Sequence, residues 1–277
     1  MARKNSFCHT GGLAGLITDK AKACGADLAG IVNLEELRRS PSYTIIPRIG
    51  YFGDGDKENQ RTIVRDSVQW PEAARSAIVI AIYHPAEKPE LDWWVSKNGS
   101  VGNTEGNRLL IRAMSSLVEW LETEQHIDCF KVPYNVERGG VFMKDAAVLC
   151  GLGCIGKNNM LITPEYGPRV RLRVILSAED IPSTGGLDFD HCGECSMPCR
   201  KACPQGAFSQ QVYFSDTLGV ESLPGRSGVY DRICCNLQMV ENESKAESTG
   251  ADEHANGAME LVQYCRKCEL ICPVGSA

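Results

Sequence analysis

Apolar side chains recur at helical spacing over residues 11–24 and stop at Gly25, which predicts a helix with a glycine end. Residues 27–32, DLAGIV, then predict a short strand. The stretch 40–69 is rich in Gly, Pro and charge and predicts a long loop able to cover a ligand. SAIVIAIY, residues 76–83, is an unbroken β-branched apolar run. A strand buried on both faces loses alternation, so this run predicts a central strand. Residues 107–126 place Leu109, Leu110, Met114, Leu117 and Leu121 on one face of an amphipathic helix, and a short strand, CFKVP, follows. Residues 141–150 predict a further helix, broken by GLGCIGKNN. LITPEYGPRVRLRVILS predicts a hairpin turning around Pro164 to Pro168. Within it, alternating Arg169, Arg171 and Arg173 read as the solvated face of a strand. His84, just past the central strand, reads as a loop histidine.

Cysteine changes this picture. Of 14 cysteines, nine lie between Cys192 and Cys272, most of them tightly spaced. The basic start, MARKNSFCHTGGLAGL, lacks the sustained apolar core of a secretory signal, so metal ligation is expected rather than disulfides. Arg38 and Arg39 read as a helix end, not a twin-arginine export signal. No apolar run of 18 residues appears, so no membrane span and a cytoplasmic protein are expected. The net charge of −6 argues against binding driven by nucleic-acid phosphates. The acidic stretch ENESKAESTGADEHANG reads as a solvated loop.

The first cysteine motif is Cys192-x2-Cys195-x3-Cys199-x3-Cys203-Pro204, and the second is Cys265-x2-Cys268-x3-Cys272-Pro273. An iron–sulfur cube needs four thiolates on four iron corners. In two-cluster ferredoxins a loop supplies three, and the Cys before Pro crosses to the other cube. That logic groups Cys192, Cys195, Cys199 and Cys272 as one [4Fe–4S] site. Cys203, Cys265 and Cys268 form the second with Cys235, although Cys234 remains open. The first motif has one more residue between Cys195 and Cys199 than the common bacterial pattern, which a bulge near Pro198 would absorb. Zinc would call for separated pairs of ligands; two reciprocal runs ending in Cys-Pro fit cubes better.

Upstream stands Gly151-Leu152-Gly153-Cys154-Ile155-Gly156-Lys157-Asn158-Asn159. Its spacing matches neither the dinucleotide fingerprint nor a phosphate loop. By itself it reads as a tight turn between helix and strand. Cys150 and Cys154 read as buried small residues rather than a redox pair. Cys8, Cys24 and Cys129 lack ligand spacing.

Taken in order, AGIV, SAIVIAIYHP, GLGCIGKNN with MLITPEYGPRVRL, CGECSMPCRKACPQGAF and CRKCELICP resemble the cobalamin-dependent iron–sulfur reductases. That family includes epoxyqueuosine reductase and the catalytic modules of reductive dehalogenases. The resemblance covers roughly residues 11–275. It implies an α+β fold: a nitroreductase-like cobalamin-binding domain over 1–185, then a ferredoxin-like domain with two [4Fe–4S] clusters over 186–277. Gly151, Gly153, Cys154, Ile155, Gly156, Lys157, Asn158, Asn159 and Leu161, with Arg138, would then line a corrin whose lower base is detached. The family loop often carries an aromatic residue where this chain has Cys154. Epoxyqueuosine reductases place an Asp proton donor upstream of the loop, and the matching position here is Glu137. Tyr83 and Tyr134 are alternative acids. The chain stops just after the cysteine module, where epoxyqueuosine reductases continue into a tRNA-contacting region, so a small molecule rather than tRNA is the expected substrate. A low-potential donor, ferredoxin or flavodoxin, would supply electrons. Two other readings remain: a non-catalytic electron carrier serving a corrinoid protein or another redox partner, and an N-terminal domain that binds flavin or no corrin.

Overall fold

The structure, a computed structural model, describes residues 12–48, 70–97, 102–136, 139–249 and 259–275. Helix α1 (Leu13–Ala23) leads into β1 (Leu28–Asn33) and the short helices α2 (Leu34–Arg38) and α3 (Pro41–Ile45). Then come β2 (Ser76–Tyr83), β3 (Trp93–Lys97), the long α4 (Glu105–Thr123), β4 (Cys129–Lys131) and α5 (Met143–Leu149). Short strands β5 (Cys154–Ile155) and β6 (Leu161–Ile162) precede β7 (Val170–Ser177). The remainder carries α6 (Pro198–Lys201), α7 (Ser215–Leu218), α8 (Arg232–Ser244), β8 (Glu247–Thr249), β9 (Met259–Gln263) and α9 (Lys267–Leu270). Among the described residues no helix is long and apolar enough to cross a membrane.

The main sheet runs β1-β2-β7-β4 with antiparallel neighbours. The unbroken apolar run of β2 sits inside it, as its sequence requires. Ile78, Ile80 and Ile82 pack with Leu110, Leu117 and Leu121 of α4 and with Ile17 of α1. Ala77, Val79 and Ala81 pack on the other face with Ala146, Ala147 and Cys150 from α5 and its end. Large side chains thus point to the long helix and small ones to the short helix, giving three layers. Burying each large aliphatic side chain contributes roughly 1.5–3 kcal/mol. Thr104 starts α4 by accepting the Asn107 N–H at 3.0 Å.

Five expectations change. The segment 161–177 turns where foreseen, with Thr163 and Gly167 bridged, but it is not a hairpin. β6 pairs with β5, while β7 enters the main sheet between β2 and β4. Arg169 and Arg173 are buried, not solvated, Arg173 because α4 packs on its face of β7 and Arg169, just before the strand, because it is enclosed with the Cys272 and Val274 carbonyls. His84 is fully buried. The acidic stretch begins inside α8 and continues into β8, so its first part is ordered structure, not loop. Part of the foreseen 40–69 loop is the short helix α3, and 49–69 lie outside the described residues.

A second sheet, β3-β9-β8, joins residues near the middle of the chain to the segment between the two cysteine groups.

Candidate functional site

Pro198 occupies the first turn of α6, and Met197 just before it takes a left-handed conformation, φ 58°. Proline presets a helical start. This turn accommodates the extra residue between Cys195 and Cys199. Cys192, Cys195, Cys199 and Cys272, the last just beyond α9, line a single cavity shared with Lys157 and Asn158. The two motifs therefore meet at this cavity across 73 residues of chain.

The second group forms on α8. Asp231 caps this helix by accepting the N–H groups of Ile233 and Cys234 at 2.8 and 3.1 Å. Cys203, Cys234, Cys235 and Cys268 pack around Ala207, Phe208 and Tyr230. Ala207 N–H donates to Cys203 Sγ at 3.3 Å. Cys265 is tied to α8 through its N–H, which donates to Asn242 Oδ1 at 3.1 Å.

Electrostatics couples the thiols mostly within these sets, with Cys199 of the first also raising Cys268 of the second. Burial raises the Cys199 thiol, and negative charge on Cys272, Cys192 and Cys195 raises it further. Burial pushes Cys268 up to about 12, helped by charge on Cys235 and Cys265. Cys235 is raised by burial and by Cys203 and Cys265. Cys234 is raised first by burial, then by Asp231 and by Cys203 and Cys235. Four thiolates held together repel, so each set calls for a cationic centre that displaces the protons. Among the described residues, no three or more His, Cys, Asp or Glu side chains close on a single-ion site. A cube is less demanding in that respect, since it spreads four thiolates over four corners.

The glycine loop is built by α5 and the β5–β6 hairpin. Gly151, φ +80°, ends α5. Its N–H reaches Val148 O, and Leu152 N–H reaches Ala147 O, a Schellman end that requires this left-handed residue. At Gly153 a Cβ would lie 2.0 Å from Ile162 O, so the hairpin itself demands that glycine. The loop's polar side chains face the cysteine module. Lys157 Nζ donates to Gly193 O at 3.1 Å, and Asn158 Nδ2 to Cys268 O at 3.3 Å. Asn159 Oδ1 accepts Gly225 N–H at 3.0 Å. In return Arg200 Nε donates to Lys157 O at 2.9 Å, and Arg226 Nε to Ile155 O at 2.5 Å. Arg200 and Arg226 were not singled out in the sequence, because a guanidinium that seeks a distant carbonyl leaves no local pattern.

A buried ionic network ties the second motif to the sheet. Asp92 accepts from His84 Nδ1 and Arg171 Nε, each at 2.9 Å, and pairs with Arg266 at 2.8 Å. Glu269, between Cys268 and Cys272, pairs with Arg171 at 2.9 Å and Arg266 at 2.5 Å. Burial raises the Asp92 carboxyl, but the His84 hydrogen bond and the charges of Arg171 and Arg266 outweigh it and hold it below its ordinary value. Asp92, Arg266 and Glu269 were also missed in the sequence.

Of the foreseen acids, Tyr83 stacks on Tyr166 with ring centroids 4.5 Å apart. Tyr134 is 53% exposed and lies 4.7 Å from the Arg173 guanidinium. Tyr83 continues the β2 face turned to α5, whereas Arg173 lies on the β7 face turned to α4, so the two phenols are alternatives rather than partners. Glu137, Arg138 and Cys8 lie outside the described residues. Cys150 is buried, and Cys154 is half-buried beside Cys192.

A layered α/β body bonded through a glycine loop to paired cysteine groups defines the class: a mixed α/β protein with an attached thiol-rich module. No family model matches the chain. It is 29% identical over 210 residues to epoxyqueuosine reductase of Gloeobacter violaceus, covering 76% of this chain and 59% of that protein. The Synechocystis enzyme is 27% identical over 60% of this chain and 50% of its own length. The chain thus spans about half to three-fifths of the length of these curated relatives. An epoxyqueuosine reductase solved with an epoxyqueuosine-modified tRNA stem loop superposes over 94% of this chain and 64% of its own, at TM-score 0.61 and 18% identity. A catabolic reductive dehalogenase in complex with 3-bromo-4-hydroxybenzoic acid covers 95% of this chain and 32% of its own, at TM-score 0.58 and 16% identity. The two structural likenesses show a shared fold. The resemblance to the epoxyqueuosine reductases is thus supported by relatives in sequence, and the likeness to them and to a reductive dehalogenase by a shared fold.

Proposed function

We propose that this protein is a cobalamin- and iron–sulfur-dependent reductase of a small molecule. One [4Fe–4S] cluster is held by Cys192, Cys195, Cys199 and Cys272, the other by Cys203, Cys235, Cys265 and Cys268. The observation that carries this reading is the cavity lined by cysteines of both motifs together with Lys157 and Asn158 of the glycine loop. All-thiol donor sets in apolar shells suit iron–sulfur cubes. Residues 1–185 form the nitroreductase-like part and 186–277 the ferredoxin-like part.

The corrin reading is supported by position: the loop adjoins the first cysteine group. Its side chains at Lys157, Asn158 and Asn159 already bond the cysteine module. Contact with a corrin therefore falls to the loop backbone, to Cys154 and Leu161, and to Arg138. When bound, the cofactors supply one-electron transfer and a low-valent cobalt centre. The chain's own residues exclude water from the cysteine groups and hold a proton donor, Glu137, Tyr134 or Tyr83. The net charge of −6 offers an RNA backbone little attraction, which favours a small substrate. A ferredoxin- or flavodoxin-type donor supplies electrons.

An anaerobic electron paramagnetic resonance titration of the cluster-reconstituted protein with cob(II)alamin tests the proposal. The expected result is a shift to the signal of cobalt without its lower nitrogen ligand. Intact cluster signals with no cobalt shift would leave an electron carrier instead.

The eighth ligand is tested separately. Cys235→Ala is expected to lower bound iron from about eight to about four atoms per chain, and Cys234→Ala to leave it unchanged. Cys235 feels Cys203 and Cys265 and in turn raises Cys268, whereas Cys234 is raised by Asp231 and, among the thiols, by Cys203 and its neighbour Cys235. Iron loss in the Cys234 variant alone would reverse the assignment.

A further inference from the structure

The arginines of β7 and its approach, Arg169 and Arg173 buried and Arg171 half-buried, divide by their partners. Arg171 has Asp92 and Glu269. Arg169, 3% exposed, donates to the carbonyls of Cys272 and Val274 at 3.2 and 2.5 Å. Arg173, 8% exposed, has no carboxylate among the described residues. Its Nη2 donates to Asn107 Oδ1 at 2.6 Å, the Tyr134 ring lies at 4.7 Å, and its Nε is buried with no hydrogen-bond partner. Burial disfavours the charged form and lowers the pKa of this guanidinium. An uncompensated cation in such surroundings is costly until an anion reaches it.

A second, independent feature lies at the same place. Asn107 belongs to the first turn of α4, a 19-residue helix whose N-terminus carries the positive end of its dipole. The acid of that turn, Glu105, is directed to Arg108 and Arg112 at 3.3 and 2.8 Å. The neighbouring His84 has its carboxylate partner in Asp92, which is shared with Arg171 and Arg266. A helix N-terminus and an unbalanced guanidinium thus converge, with the exposed Tyr134 ring beside the guanidinium.

We propose that Arg173, positioned by Asn107 and flanked by Tyr134, binds the anionic group of the small molecule this protein reduces, a carboxylate. Its planar fork suits that group, with the free Nε supplying a donor. The word substrate rests on the reductase reading; the anion site does not.

The test is calorimetric titration of the cluster-reconstituted protein with benzoate as probe and benzamide as its neutral isostere. Benzoate is expected to bind, to weaken with added salt, and to bind Arg173→Gln at least roughly tenfold more weakly, in line with a lost charge-assisted contact. Benzamide is expected to bind weakly to both. Cluster absorbance and near-ultraviolet dichroism check that the variant is folded. If it is not, Asn107→Ala, which leaves the guanidinium present but unheld, is expected to weaken benzoate several-fold. Absence of benzoate binding, equal binding by a folded R173Q or, in its place, by N107A, or benzamide binding as well as benzoate would each overturn the proposal. Benzoate binding without a cobalt shift would leave the anion site standing and sink the reductase reading; a cobalt shift without benzoate binding would do the reverse.

Discussion

Cys272→Ala is expected to abolish the first iron–sulfur signal while sparing the second, although Cys272 belongs to the second motif. Cys272 lines the same cavity as Cys192, Cys195 and Cys199. Burial raises its thiol, and charge on Cys192 and Cys195 raises it again. Removing it leaves three thiols and an open corner, so bound iron should fall from about eight to about four atoms per chain. Cys203→Ala makes the reciprocal change, losing the cluster shared with Cys265 and Cys268. Iron and sulfide analysis with resonance spectra of each variant reads the outcome. If Cys272→Ala instead removed the Cys265–Cys268 signal, each motif would serve its own cluster and the crossed assignment would be wrong. The effect should reach beyond redox chemistry. Cluster binding is coupled to folding, so α9 and the turn after it should lose protection from hydrogen exchange in this variant.

Asp92→Asn is expected to cost on the order of 3–5 kcal/mol and to lower the melting temperature by about 10 °C. Among the described residues Asp92 is the one carboxylate that faces His84, Arg171 and Arg266 together. Its loss leaves Arg266 and Arg171 to Glu269 alone. The folded carboxyl sits below its ordinary value because the hydrogen bond and cations outweigh burial. Its contribution is therefore fully present above the unfolded value, near pH 4, and is lost as pH falls through the lower folded value. At about pH 7 the wild type and the variant should differ by the whole amount. Thermal unfolding of the two cluster-reconstituted proteins measures it. Equal melting temperatures would show that Arg171 and Glu269 carry the network without Asp92. Because Glu269 lies between two cysteines, the variant should also broaden the cluster spectra.

Much of the body was legible in the chain. The apolar run of β2 and the stripe of α4 announced themselves through local periodicity, which burial on two faces or one face imposes on any strand or helix. The crossed cysteine grouping was proposed from the same kind of local signal, since short spacings within a turn, and a proline after the ligand, constrain how thiols can converge. Glycine at position 151 was visible as a break, and the left-handed end of α5 supplies its reason.

What tertiary structure decided was the fate of polar residues. The alternation Arg169, Arg171, Arg173 is the same on a solvated strand and on one roofed by a helix; only the tertiary packing around β7 and its approach buries Arg169 and Arg173 and half-buries Arg171. Arg171 meets Glu269 across 98 positions, and Arg266 meets the His84 carbonyl across 182. Likewise, nothing local tells that Lys157 and Asn158 turn toward the cysteine module, or that β6 leaves β7 for β5. Periodicity records which face of an element is apolar, because that face repeats every two or 3.6 residues. Charges and carbonyls find their partners through space, so their pairing is settled when the layers close.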